Sequence, residues 1–149
     1  MADFNAALKR VLRYEGGYVN DKDDAGGETY MGIARRFHKS SVMWPEVDRI
    51  KKNIKGSSTS DMSFNKQMTL LLQNNSIVQK EVARIYKKEY WDKIHLDEVR
   101  SQIVAYQLFD TAVNMGVSKA IKLAQRTVGQ PQTGLFNYSW FSLIKDWYE

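Results

Sequence analysis

The stretch from Leu12 to Ile33 carries five carboxylates, Glu15, Asp21, Asp23, Asp24 and Glu28, among paired glycines at Gly16-Gly17 and Gly26-Gly27. Carboxyl groups placed in pairs do acid–base work. One that keeps its proton can give it to a leaving oxygen, while an ionised neighbour steadies positive charge or activates water. Glu15 is the candidate for the protonated partner. Phe4, Leu8, Val11 and Glu15 follow one another at intervals of four, three and four residues, so on a helix Glu15 continues the apolar stripe. Asp3 is a good N-cap for that helix and Gly16-Gly17 a good stop. Burial disfavours an ionised carboxylate and raises its pKa, to about 6 where such a group serves as a general acid. The plainer alternative is a solvated helix-end residue paired with Arg13 or a distant lysine.

Two other chemistries fit the loop poorly. Asp21, Asp23 and Gly26 match the first, third and sixth positions of a calcium-binding EF-hand loop, but Ala25 and Gly32 stand where further oxygen ligands are required. An acidic loop repels phosphate, and no lysine follows the glycines as in a phosphate-binding loop. The chain has no cysteine and only two histidines, His38 and His95, so neither a thiolate nor a histidine-rich metal site is expected, and no cofactor is required.

Glu15-Gly16-Gly17, Asn20-Asp21, Asp24, Gly26-Gly27, Thr29 and Gly32-Ile33 together resemble the signature of glycoside hydrolase family 108, muramidases also described as secretion-activating proteins. The spacing is also similar to phage lysozymes, where Glu is followed after eight residues by Asp and after five more by Thr. Glu15 and Asp24 keep the first gap; Thr29 arrives one residue early, and Lys22 stands where the family has proline. Further on, Tyr90-Trp91, the FDTAVNMG segment, Gln125 and Gly129 continue the pattern. The resemblance implies a mainly α, lysozyme-like helical domain with a short acidic loop or hairpin after the first helix. It implies cleavage of the β-1,4 bond from N-acetylmuramic acid to N-acetylglucosamine in peptidoglycan. Glu15 would be the acid, Asp24 the second carboxylate and Thr29 the water-positioning residue. Asp21, Asp23 and Glu28 compete with Asp24. Candidate substrate-binding residues are Tyr30, Trp91, Asp110 and Asn114, with Asn114 bonding an N-acetyl group or ring hydroxyl and Asp110 supporting it.

The rest of the chain reads as helices that carry this stretch. Thr29 to Ser40 predicts a short second helix, with Thr29 as N-cap and Ile33 and Phe37 facing the core. Trp44 to Gly56 predicts another, and KGSSTSDMS after it a mobile loop. Phe64, Met68, Leu71 and Leu72 mark a third, with Asn74-Asn75-Ser76 interrupting it or capping the next. Apolar spacing then runs from Ile77 to Ile94 and again over Ile103 to Val113 before Gly116. Ser118 is the expected cap of a helix ending near Gly129, and Tyr138 to Tyr148 a last, aromatic-rich one. The whole chain, 1–149, reads as one domain, with 117–149 resembling a short version of the family's peptidoglycan-binding C-terminal region.

The formal net charge of +5 suits an anionic partner, wall or nucleic acid. Because the acidic residues concentrate on the candidate site, a nucleic-acid reader is disfavoured. A non-catalytic wall-binding or secretion-accessory protein is the main alternative. MADFNAALKR lacks the apolar core of a signal peptide, so synthesis in the cytoplasm is expected, with a holin or exporter giving access to the wall. No membrane insertion is expected, and a monomer is.

Overall fold

Asp3 begins the first helix as its position predicts. In this computed structural model, which describes residues 1–23, 26–56 and 62–147, the Asp3 carboxylate accepts the Ala6 N–H at 3.2 Å at the start of α1 (Phe4–Leu12). The fold is mainly α, with seven α-helices and one three-stranded sheet among the described residues. The chain divides into two compact units: Leu12–Arg84, and Met1–Val11 together with Ile85–Glu149.

The first of these units holds the sheet. Strands β1 (Tyr18–Asn20), β2 (Glu28–Tyr30) and β3 (Ile33–Ala34) pair antiparallel in that order. Tyr18 faces Tyr30, Val19 faces Thr29 and Asn20 faces Glu28; Thr29 then pairs with Ala34 and Tyr30 with Ile33. The second helix predicted over Thr29 to Ser40 is therefore not formed. Ile33 and Phe37 mimic helical spacing, but Thr29, Tyr30 and Ile33 are strand formers around a two-residue turn. Met31 and Gly32 both have positive φ, 49° and 76°, the mirror-image turn whose twist matches a hairpin. Thr29 is thus a mid-strand residue and not a cap. A 3₁₀ turn at Arg35–Phe37 follows, leaving Phe37 72 % exposed and outside the core.

Three helices complete this unit: α2 (Met43–Gly56), α3 (Phe64–Gln73) and the start of α4 (Ser76–Tyr86). Met43, Trp44, Val47, Met68, Leu72, Val78 and Val82 are buried with Tyr18 and Tyr30. Ser63 caps α3 by accepting the Lys66 N–H at 3.3 Å, and Asn75 caps α4 by accepting that of Val78 at 3.0 Å. Most of the predicted mobile loop, residues 57–61, lies outside the described residues.

The helix predicted to run to Ile94 changes pitch. After Tyr86 it widens into a π-turn over Lys87–Trp91 and then tightens into 3₁₀ turns at Asp92–Ile94 and Leu96–Glu98. An inserted residue shifts the phase of a helix. Here Trp91 falls inward, its indole N–H donating to Asp97 at 2.7 Å. Trp91, Phe4 and Phe109 meet edge to face, with centroids 5.3, 5.8 and 5.4 Å apart. Such pairs add about 0.5–1.5 kcal/mol each beyond their buried area.

In the same unit α5 (Gln102–Met115) is capped by Ser101, which accepts the Val104 N–H at 3.3 Å. The next helix, α6 (Val117–Thr127), starts at Val117 directly after Gly116, so Ser118 is inside it rather than its cap. Buried Gln125 then ties down the following turn, donating to Thr133 at 2.9 Å and accepting the Gly134 N–H at 3.0 Å. The last helix, α7 (Tyr138–Phe141), is much shorter than predicted. Past it the N–H of Ile144 bonds Phe141, three residues back, and the Lys145 carbonyl takes the Arg100 N–H at 2.8 Å. Tyr148 lies outside the described residues.

Candidate active site

Glu15 stands one turn beyond the end of α1. Its N–H reaches the Leu12 carbonyl at 3.4 Å, so the chain is still winding, but the regular helix has ended. The reason lies just ahead. At Gly17 the backbone passes so close to α3 that a Cβ would collide with the Thr69 side chain, and the next N–H, that of Tyr18, donates to Thr69 Oγ1 at 2.9 Å. A helix continued through Gly17 could not make that approach. Glu15 is consequently half-buried, between an exposed Tyr14 and the first strand.

The hairpin beyond it is anchored by Glu28. Tyr18 donates its hydroxyl to this carboxylate at 2.5 Å, Lys51 its ammonium at 2.6 Å and Arg35 its guanidinium at 2.9 Å. Arg35 is itself held by a two-pronged bond to Asp48, at 2.7 and 2.8 Å. The Glu28 side chain is only 10 % exposed. Burial alone would raise its pKa, but Lys51, Tyr18 and Arg35 outweigh it and hold the group below the usual carboxylate value. Burial, and then the bond to Glu28, pushes the Tyr18 hydroxyl well above its usual value. Glu28 is therefore an anion whose two oxygens are already engaged by three donors.

Several residues of this cluster escaped the sequence reading, although a signal was present. Asp48 and Lys51 follow Trp44 and Val47 at helical spacing, which puts two charges on the apolar side of α2. Charges there need counter-charges nearby, and Glu28 and Arg35 supply them. Their separation along the chain hid the partnership.

The predicted residues divide into three groups. Glu15, Asp21, Asp23 and Thr29 belong to the unit Leu12–Arg84. Asp21 accepts the Asp23 N–H at 2.9 Å in a local turn, and both side chains are exposed. Asp24 lies outside the described residues. The strand alternation puts Thr29 with Val19 on the sheet face opposite Tyr18, Glu28 and Tyr30. Tyr30 and Trp91 do not have the role assigned to them. Both are fully buried, Tyr30 accepting from Gln79 at 3.0 Å, so neither ring presents a face on which a sugar could stack. Asp110 and Asn114 sit on α5. The Asn114 amide donates to the Asp110 carbonyl at 2.9 Å and to its carboxylate at 3.2 Å, as the four-residue spacing suggests.

A mainly helical chain with a half-buried glutamate past its first helix, followed by an acidic antiparallel hairpin, has the layout of a lysozyme-like glycoside hydrolase. Comparison with known proteins places it more narrowly. Residues 8–116 match the family model described as Glycosyl hydrolase 108, and the chain belongs to that family. The match runs through residues 40–75, where no signature residue was recognised, and stops at Gly116. Ten solved chains match. Among them is the structure of Brucella abortus SagA, 25 % identical, with a TM-score of 0.59 over 95 % of this chain and 67 % of that one. No curated protein matches.

Proposed function

We propose that this glycoside hydrolase cleaves the glycan strand of peptidoglycan at the β-1,4 bond between N-acetylmuramic acid and N-acetylglucosamine, with Glu15 as the general acid. The observation that carries the reading is the half-buried Glu15 directly before an acidic hairpin, inside the span of the family match. Glu15 gives its proton to the leaving glycosidic oxygen as positive charge builds at the anomeric carbon. A carboxylate from the loop between β1 and β2 stabilises that charge or activates water. Asp24 is our choice, on its spacing from Glu15. Two competitors are weakened: both Glu28 oxygens are engaged by three donors, and one Asp21 oxygen is engaged by the Asp23 N–H. Thr29, on the sheet face away from the Glu28 cluster, is proposed to orient the water.

On α5, Asp110 engages the Asn114 NH₂ group, and the amide's carbonyl oxygen is the acceptor we assign to the substrate. An N-acetyl N–H is a fitting donor for that oxygen.

The test is product analysis. Purified protein is incubated with bacterial peptidoglycan and the new reducing ends are identified by mass spectrometry after borohydride reduction. N-acetylmuramitol is the result expected. N-acetylglucosaminitol would move the cut to the other bond, a 1,6-anhydro end would replace hydrolysis by internal cyclisation, and wall pelleting without new ends would make the protein a binder.

A further inference from the structure

We propose that the groove between α5, α6 and the turn after α7 is a docking surface for a membrane leaflet that carries anionic phospholipid. Every residue of the groove belongs to the unit formed by Met1–Val11 and Ile85–Glu149, so the surface stands apart from the role assigned to Glu15.

The sequence of α6, VSKAIKLAQRT, gives the helix two unlike sides. Ala120, Ile121 and Ala124 are buried, while Lys119, Lys122, Leu123 and Arg126 are exposed. Leu123 comes four residues after Lys119 and three before Arg126, so both cations stand beside it on one face of the helix. Leu123 also lines a largely apolar cavity of about 290 Å³, together with Ile103 of α5 and Trp147. Buried Leu108, Ala120 and Ala124 form its floor. The rim is left open: Ile103 is 49 %, Leu123 43 % and Trp147 52 % exposed. Three large apolar side chains, half in water around one cavity, make a patch of the kind that marks an interaction site.

Charge decides what fits there. Lys119, Lys122 and Arg126 have no ion-pair partner among the described residues, and α6 carries no carboxylate. On the other lining elements, Asp110 of α5 is bonded to Asn114, and Asp146 is paired with Lys145 at 3.3 Å. Unpaired cations beside an apolar cavity suit a partner that is anionic at its surface and apolar just beneath it. A leaflet of anionic lipid is both. Trp147 at the rim agrees with this, because an indole settles at headgroup level while leucine and isoleucine reach the acyl boundary. A second copy docked about a twofold axis through this face would set Lys119 and Arg126 against their own copies, with no α6 carboxylate to meet them. The contact is peripheral, since among the described residues no helix is long and apolar enough to cross a membrane.

Trp147 makes the contact measurable. The other three tryptophans, Trp44, Trp91 and Trp140, are at most 1 % exposed, so a change in emission on binding reports the rim of the groove. Purified full-length protein is mixed at low salt with vesicles of phosphatidylcholine alone, or of phosphatidylcholine with an equal part of phosphatidylglycerol, and cosedimentation and emission are recorded. Binding to the anionic vesicles only is expected, with a blue shift and with quenching by lipids brominated in the acyl chain. Each cation near an anionic leaflet contributes about fivefold in affinity, so Lys119→Gln with Arg126→Gln should bind about 25-fold more weakly. Lys52→Gln with Lys80→Gln removes the same charge from the other unit and should stay within about threefold of wild type. Leu123→Ser and Trp147→Ala replace exposed side chains, so they should keep the wild-type circular dichroism and each lose about 3- to 10-fold in affinity. Equal binding to both vesicle types, binding without an emission shift, or equal losses in the two double variants would overturn the proposal. So would wild type that stays in the supernatant at low salt, whether or not it self-associates through Leu123.

Discussion

Glu81 shows how far single side chains in this protein are committed. It is buried, yet it accepts from the Ser41 hydroxyl at 2.7 Å, the Val42 N–H at 3.3 Å and the Arg84 guanidinium. Arg84 first, with Ser41 and the Val42 N–H behind it and burial opposing them, holds its pKa at about 2 against an ordinary 4.5. A hydrogen bond to a carboxylate contributes roughly 1.5–3 kcal/mol, so Ser41→Ala is expected to lower stability by about that much in urea unfolding. Gly17 is committed in a different way. Gly17→Ala pushes a methyl into Thr69 and is expected to cost about 1–3 kcal/mol, with the damage falling on the segment that carries Glu15. Gly16, with open space where its Cβ would be, should accept alanine at far lower cost. A Gly17→Ala variant as stable as Gly16→Ala would remove close approach to α3 as the reason for the second glycine.

The helices were legible in the sequence because the 3.6-residue period survives wherever one face is buried. Trp44, Val47, Ile50 and Ile54 mark α2, and Met68 with Leu72 marks α3. The strands were not, because each is two or three residues long and shows too little alternation to be told from a turn of helix. Met31-Gly32 was the missed signal: a glycine in the second place of a tight turn, with methionine taking the strained first place at φ 49°. Met31→Asn supplies the side chain that such turns prefer there and is expected to raise Tm by about 1–3 °C without loss of turnover. A fall in Tm would mean that Met31 contributes packing worth more than the strain it bears. Tyr30 and Trp91 illustrate the opposite error. Aromatic side chains suit both sugars and cores, and sequence shows the ring without showing whether a face of it is open. Glu15 reads as an acid continuing an apolar stripe, and the structure leaves it half-buried even though the helix stops short of it.

Among the described residues, carboxylates held below their usual pKa are expected to set the response to acid: Glu28 by Lys51, Tyr18 and Arg35, Asp48 by Arg35, Glu81 by Arg84 and Ser41, and Glu46 by Arg49 and Asn75. A carboxyl whose folded pKa is depressed contributes stability that is complete above its unfolded pKa and disappears as pH falls through the folded one. For Glu81 the window is from about 4.5 down to about 2. Tm is therefore expected to be nearly flat above about pH 5 and to fall below it, and Ser41→Ala should shallow that fall. An acid limb unchanged in both Ser41→Ala and Lys51→Met would show that other groups set it. Under the proposed function the charge of +5 would act separately, on encounter with an anionic wall, so binding to peptidoglycan should weaken with added salt even where kcat does not change. The measurement that bears most directly on the account is the turnover of Glu15→Gln on defined peptidoglycan fragments, beside wild type of equal Tm. A general acid contributes about 10²- to 10⁴-fold, so kcat should fall by that factor while fragment binding stays within a few fold. Turnover within about threefold of wild type would contradict it, since no proton donor can be removed at so small a loss.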